Sequence, residues 1–102
     1  MATERENSHI LISGRVQGVG YRYFARLRAE LHNVTGYVRN LPDGSVEVVA
    51  EGSRVALEQF IRDLARGPNS GNVSDCQVNW RPVSRQYRDF TINYWGLWSS
   101  LN

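Results

Sequence analysis

Gly14-Arg15-Val16-Gln17-Gly18-Val19-Gly20-Tyr21-Arg22 decides how this chain of 102 residues is read. The apolar run Ile10-Leu11-Ile12 precedes it and a helical pattern follows, so it reads as the turn from a strand into a helix. Glycine at three of its positions lets the backbone bend sharply and come close to a ligand. Backbone N–H groups beside a helix N-terminus form an anion site. Arg22 adds a permanent charge on a planar fork that fits phosphate. Gln17, Gly18, Val19, Gly20, Tyr21 and Arg22 are therefore the candidate phosphate-binding set. The same residues also fit a tight strand–helix turn followed by a surface arginine, and the loop by itself leaves both readings open.

Working outward, residues 1–7 read as a polar tail and His9 to about Val16 as the first strand. Phe24, Leu27 and Leu31 fall at helical spacing and predict a first helix of about three turns, ending at His32-Asn33. Thr35 to Asn40 is a second strand. Leu41-Pro42-Asp43-Gly44 is a turn, because Pro and Gly supply the dihedrals it needs. Ser45 to Glu51 alternates, with Val46, Val48 and Ala50 on one face and Glu47, Val49 and Glu51 on the other, as in a half-buried strand. Ser53 is a candidate N-cap for a second helix with the stripe Leu57, Phe60, Ile61 and Leu64, stopped by Gly67-Pro68. Cys76, Val78 and Trp80 alternate on a fourth strand; Phe90, Ile92 and Tyr94 alternate on a short last one.

The order is β-α-β-β-α-β with a possible short fifth strand. That is the ferredoxin-like α+β sandwich, two helices on one face of an antiparallel sheet. Right-handed crossovers make the first and second strands end at the same edge. Asn40, leaving the second strand, should then stand near the glycine-rich turn.

Composition narrows the function. A chain this short makes one domain over residues 1–102, with its core at about 8–94 and an aromatic tail from Trp95 to Asn102. Apolar residues at 41% and charged ones at 22% mark a globular rather than a disordered chain. All 12 basic residues are arginine. A Walker-type phosphate lysine and a Schiff-base lysine are thereby excluded. The net charge of +2 gives little support to nucleic-acid binding. The single cysteine, Cys76, allows no intrachain disulfide. No apolar stretch approaches a membrane span, and Met1 to Ser8 lacks a signal-peptide core. A cytoplasmic protein with no membrane and no nucleic-acid partner is expected.

Two stretches together carry a resemblance: Gly14 to Arg22, and Gly36-Tyr37-Val38-Arg39-Asn40 followed by Gly44, Val46 and Gly52. A chain bearing both resembles the acylphosphatase family, over roughly Ser8 to Tyr94. The resemblance implies a small cytoplasmic hydrolase, expected as a monomer, that splits acyl phosphates into carboxylate and inorganic phosphate without metal or other cofactor. It puts the family's phosphate-binding arginine on Arg22 and its water-orienting asparagine on Asn40. Tyr21 stands where the family more often has phenylalanine, and the tail beyond Tyr94 departs from the family pattern. The chemistry is coherent. The leaving carboxylate has a conjugate acid of pKa about 4 and needs little or no general acid. What remains is to hold and neutralise the phosphoryl oxygens and to aim a water in line. Arg22 with the loop suits the first task. Asn40, which both donates and accepts, suits the second.

Other constellations read more plainly. Cys76 and Arg81 are one residue short of a cysteine-phosphatase loop and flank a strand, so Cys76 is expected as a buried structural thiol. His9 and His32 are expected apart from each other and from any carboxylate cluster, as surface or half-buried histidines without metal-ligand spacing. Asp43 and Glu47 are expected to face solvent, and Arg39 to balance Glu47 or Glu51. Arg26, Arg28, Arg62 and Arg66 are expected on solvated helix faces; Trp95 and Trp98 as core cover. Two rival functions remain. One is a single-stranded RNA binder on the sheet face, which the acidic third strand and the missing aromatic pattern disfavour. The other is a non-catalytic module that binds an acyl or carbamoyl phosphate for a second domain, to which the chain, ending at Asn102, shows no linker.

Overall fold

The structure, a computed structural model, describes residues 4–84 and 86–94; the tail from Trp95 to Asn102, with Trp98, lies outside the described residues. The elements are β1 (Arg5–Arg15), α1 (Tyr21–Leu31), β2 (Thr35–Asn40), β3 (Val46–Ser53), α2 (Arg54–Arg66), β4 (Asn72–Arg81) and β5 (Phe90–Ile92). The sheet order is β4-β1-β3-β2-β5. β1 pairs antiparallel with β3 and β4, and β2 antiparallel with β3. The fifth strand is present and pairs parallel with β2, which makes the ferredoxin-like sheet mixed.

Alternation sets one face of the sheet. Ile10, Ile12, Val38, Val46, Val48 and Ala50 turn to the helices and are fully buried. They meet Leu57, Phe60 and Leu64 of α2 and Tyr21, Ala25 and Ala29 of α1 in one cluster. Each large apolar side chain buried there contributes about 1.5–3 kcal/mol. Leu27 and Leu31, expected to face the core, are exposed instead. The face that packs is Tyr21, Ala25 and Ala29, at i, i+4 and i+8. Its two alanines let α1 lie close on the sheet, which leucines would prevent.

The other face is covered where alternation predicts solvent. β4 and β5 lie at opposite edges, so the chain between them must cross the sheet. The crossing segment buries Val49 and Glu51. Ser84 donates from its N–H and its Oγ to Glu51 Oε2 at 2.7 Å, and Asn7 Nδ2 donates to the same oxygen at 2.8 Å. Tyr87 packs edge-on against Tyr37 at 6.0 Å. β1 accordingly starts at Arg5. Residues 5–7, read as tail, pair with Glu51–Ser53 because Asn7 and Arg5 find partners in Glu51 and Thr35.

His9 and His32 each pair with a single carboxylate: His9 Nε2 is 2.9 Å from Glu47 and His32 Nε2 is 2.7 Å from Asp63. Three further expectations are corrected. Glu47 is partly buried between His9 and Arg39. Burial raises its pKa, but the hydrogen bonds from Arg39 and His9 outweigh that and hold the carboxyl below its usual value. Arg28 is not merely solvated, since it reaches from α1 to Asp63 of α2 at 3.7 Å, whereas Arg66 stays exposed and pairs with Asp63 within α2. Cys76 is half-buried rather than buried, with its thiol pushed up by that burial and then by Asp75.

Candidate active site

The site begins where β1 ends. Gly18 and Gly20 take φ +75° and +76°, in the left-handed region that glycine occupies without strain. Gly20 is the N-cap of α1, and no side chain caps the helix there. The first intrahelical bond runs from the Phe24 N–H to the Gly20 carbonyl. The N–H groups of Tyr21, Arg22 and Tyr23 therefore have no intrahelical acceptor, at the positive end of the helix.

Three contacts fix this turn. Gln17 Nε2 donates to the carbonyls of Leu41 and Ser45, both at 2.8 Å, and so ties the turn to the β2–β3 hairpin. Ser70 Oγ donates to the Val19 carbonyl at 2.8 Å from the α2–β4 loop. Tyr21 is sunk in the core, where its hydroxyl donates to the Leu64 carbonyl at 2.6 Å. Burial, and then Cys76, raises the Tyr21 phenol far above its ordinary pKa, so it stays a neutral donor. The carbonyl of Leu64 explains how this chain accommodates tyrosine there.

The hairpin is held as firmly. Leu41 N–H bonds the Ser45 carbonyl, and Asp43 Oδ1 accepts from the Ser45 N–H and hydroxyl at 3.0 and 2.6 Å. Those two bonds lower the Asp43 pKa. Asn40 closes β2 opposite Val46, at the edge where β1 also ends, as the crossover argument requires.

Val16, Gly18, Gly20, Tyr21, Arg22, Tyr23, Asn40, Ile92 and Tyr94 line one pocket of about 240 Å³. The structure thus brings Gly18, Gly20, Arg22 and Asn40 together. It turns the side chains of Gln17, Val19 and Tyr21 to scaffold duties, leaving only their backbone to the turn. Arg22 Nη1 and Asn40 Oδ1 are both buried without a hydrogen-bond partner among the described residues. Buried polar atoms are nearly always paired in folded proteins, so two orphans facing one pocket point to a polar ligand. Arg22 Cζ lies 4.6 Å from the Tyr94 ring centroid, a cation–π contact. Tyr94 was legible only as a strand residue. The signal for its place is the parallel register Val38↔Ile92, which continued by two residues sets Tyr94 beside Asn40. Among the described residues no three of His, Cys, Asp and Glu come together as a metal site.

Fold and pocket define the class: a small α+β protein of ferredoxin-like fold with a polar pocket at its first strand–helix turn. The family model described as Acylphosphatase matches residues 8–92. An acylphosphatase of Thermus thermophilus is 53% identical over 70 residues, 69% of this chain and 80% of that protein. One from Bacillus velezensis is 41% identical over 86 residues, covering 84% of this chain and 96% of the relative. The crystal structure of acylphosphatase from Bacillus subtilis matches with a TM-score of 0.84 at 36% identity, over 87% of this chain and 99% of that one. The chain belongs to the acylphosphatase family. It is a hydrolase of acyl phosphates.

Proposed function

We propose that hydrolysis proceeds by metal-free in-line attack of a water held by Asn40 on a phosphoryl group bound by Arg22 and the backbone of Gln17 to Arg22. The orphaned pair carries this reading. Arg22 Nη1 is a buried cationic donor and Asn40 Oδ1 a buried acceptor, on one pocket. The donor matches a phosphoryl oxygen, and the acceptor matches a water O–H. The water oxygen bonds to phosphorus while the bond from phosphorus to the acyl oxygen breaks. The carboxylate leaves with that electron pair, and inorganic phosphate remains. The guanidinium and the N–H groups of the turn stabilise the charge as it shifts. Gln17, Val19 and Tyr21 serve through their main chain only.

In this reading the protein is a single cytoplasmic domain over residues 1–102 that acts as a monomer on a small acyl phosphate. The single cysteine supports that compartment. No helix among the described residues is long and apolar enough to cross a membrane. Nucleic acid is not a partner in this reading, since the sheet face away from the helices carries the carboxylates Glu47 and Glu51 and is crossed by the segment that bonds Glu51 through Ser84.

The test is the split between binding and turnover. Asn40→Ala is expected to keep the inhibition constant for phosphate near wild type while kcat falls about a hundredfold or more. Circular dichroism first establishes that the variant is folded, because Asn40 borders the hairpin. A folded Asn40→Ala with near-normal kcat would show that Asn40 does not position the water.

A further inference from the structure

We infer that the outer face of α1 is the docking surface for residues 95–102 of this same chain, whose Trp95, Leu97, Trp98 and Leu101 cover Tyr23, Leu27 and Leu31.

α1 is apolar on two faces. Tyr21, Ala25 and Ala29 pack on the sheet. Tyr23, Leu27 and Leu31 repeat the same i, i+4, i+8 spacing and are 55%, 45% and 63% exposed. A helix apolar on opposite faces is one that is covered on both. At about 1.5 Å of rise per residue the outer stripe is about 12 Å long.

Place and composition choose what covers it. β5 runs parallel to β2 and so ends at the edge of the sheet where α1 begins. There the Tyr94 ring lies against Arg22, in the first turn of α1. The chain beyond Tyr94 therefore starts beside one end of the stripe. Residues 95–102 hold two tryptophans, two leucines and no charged side chain. Fully extended they reach about 26 Å, twice the length of the stripe.

Arg26 marks the path. It stands one turn on from Arg22, on the same flank of the helix. Its Cζ lies 5.2 Å from the Tyr23 ring centroid, and its Nε is buried without a hydrogen-bond partner among the described residues. Buried N–H groups are nearly always paired. A backbone carbonyl of the segment leaving Tyr94 along this flank supplies the acceptor.

A second copy of the chain fits the stripe less well. The stripe offers three large side chains, whereas a standard interface takes roughly 20–30 residues a side. A tethered segment needs far less area, because its tether holds it at an effective concentration of about a millimolar.

The experiment compares thermal unfolding of the full chain with that of Leu27→Gln, Trp98→Ser and the double variant. Glutamine keeps the helix propensity of leucine, so the change at position 27 tests contact alone. Each single change is expected to lower the melting temperature by about 4–8 °C. The double variant should lose hardly more than either, because both changes remove one contact. In the wild type, nuclear Overhauser contacts should join the indole protons of Trp95 or Trp98 to the methyls of Leu27 or Leu31. An unchanged melting temperature in Leu27→Gln, additive losses in the double variant, or no Overhauser contact between these residues overturns the docking. A melting temperature that rises with protein concentration, with Overhauser contacts between differently labelled copies, assigns the stripe to a second copy and overturns it as well.

Discussion

The fold repeats a strand–turn–helix unit, and its two copies end differently. At the β1–α1 turn the N-cap is Gly20 in the left-handed region, and no side chain caps the helix. At the β3–α2 junction the N-cap is Ser53, extended, whose Oγ accepts the Ala56 N–H at 3.1 Å. Both helices have the same partial positive charge at that end. One has a side chain that accepts from one of its donors; the other leaves its donors beside a pocket in which Arg22 Nη1 has no hydrogen-bond partner among the described residues. A helix N-terminus is thus open to an anion only where the chain withholds the cap. Withholding it costs little here, about a few tenths of a kcal/mol, since glycine is itself a tolerable N-cap. Here Gln17 and Ser70, reaching from the turn to the hairpin and from the α2–β4 loop, fix the uncapped end instead.

The largest effect that would break this comparison sits at Arg22. Arg22→Ala should lower kcat/KM about a thousandfold and weaken phosphate inhibition with it, because one charged fork serves ground state and transition state alike. Arg22→Lys should recover little, lacking the fork. Steady-state kinetics with added phosphate reads both numbers; unaltered inhibition in Arg22→Ala would detach the arginine from the anion.

A smaller effect is expected at Gly18. No atom lies within 4 Å of a Cβ placed there, so space is open, but φ +75° strains any branched residue. Gly18→Val should raise KM about tenfold or more and lower the melting temperature slightly. Unchanged KM in a folded Gly18→Val would make the turn an ordinary connection.

The smallest effect belongs to the other helix. Ser53→Ala should cost about 1 kcal/mol in a denaturant titration and leave KM and phosphate inhibition as they are. A shift in phosphate inhibition there would erase the distinction between the two termini.

The comparison also shows what the amino-acid order carried. Ser53, Gly67, Asn33 at φ 58° and the Leu41–Gly44 turn act where local chemistry places them. Arg22 and Asn40 meet because two parallel strands, β1 and β2, end at one edge, a topological fact readable from element order. The burial of Val49 and Glu51 was not readable. Their cover comes from residues 82–84 and 86–89, which have no periodicity and whose path follows from β4 and β5 lying at opposite edges. In α1, leucines outweighed alanines in the pattern, yet close approach to the sheet favoured Ala25 and Ala29. Gln17, Ser70 and Tyr94 act across 24, 51 and 72 positions of sequence (Leu41, Val19 and Arg22 being their partners), distances over which local patterning carries no signal.

The difference between the two helix ends is tested most directly by titrating the wild-type protein with inorganic phosphate and following its backbone amides by NMR. The account predicts that the amides of Gly18 to Arg22 and the side-chain amide of Asn40 shift together, with a midpoint equal to the phosphate inhibition constant, while the amides of Ser53 to Ala56 stay still. Inhibition by phosphate with no movement at Gly18 to Arg22, or saturable shifts at Ser53 to Ala56, would contradict it.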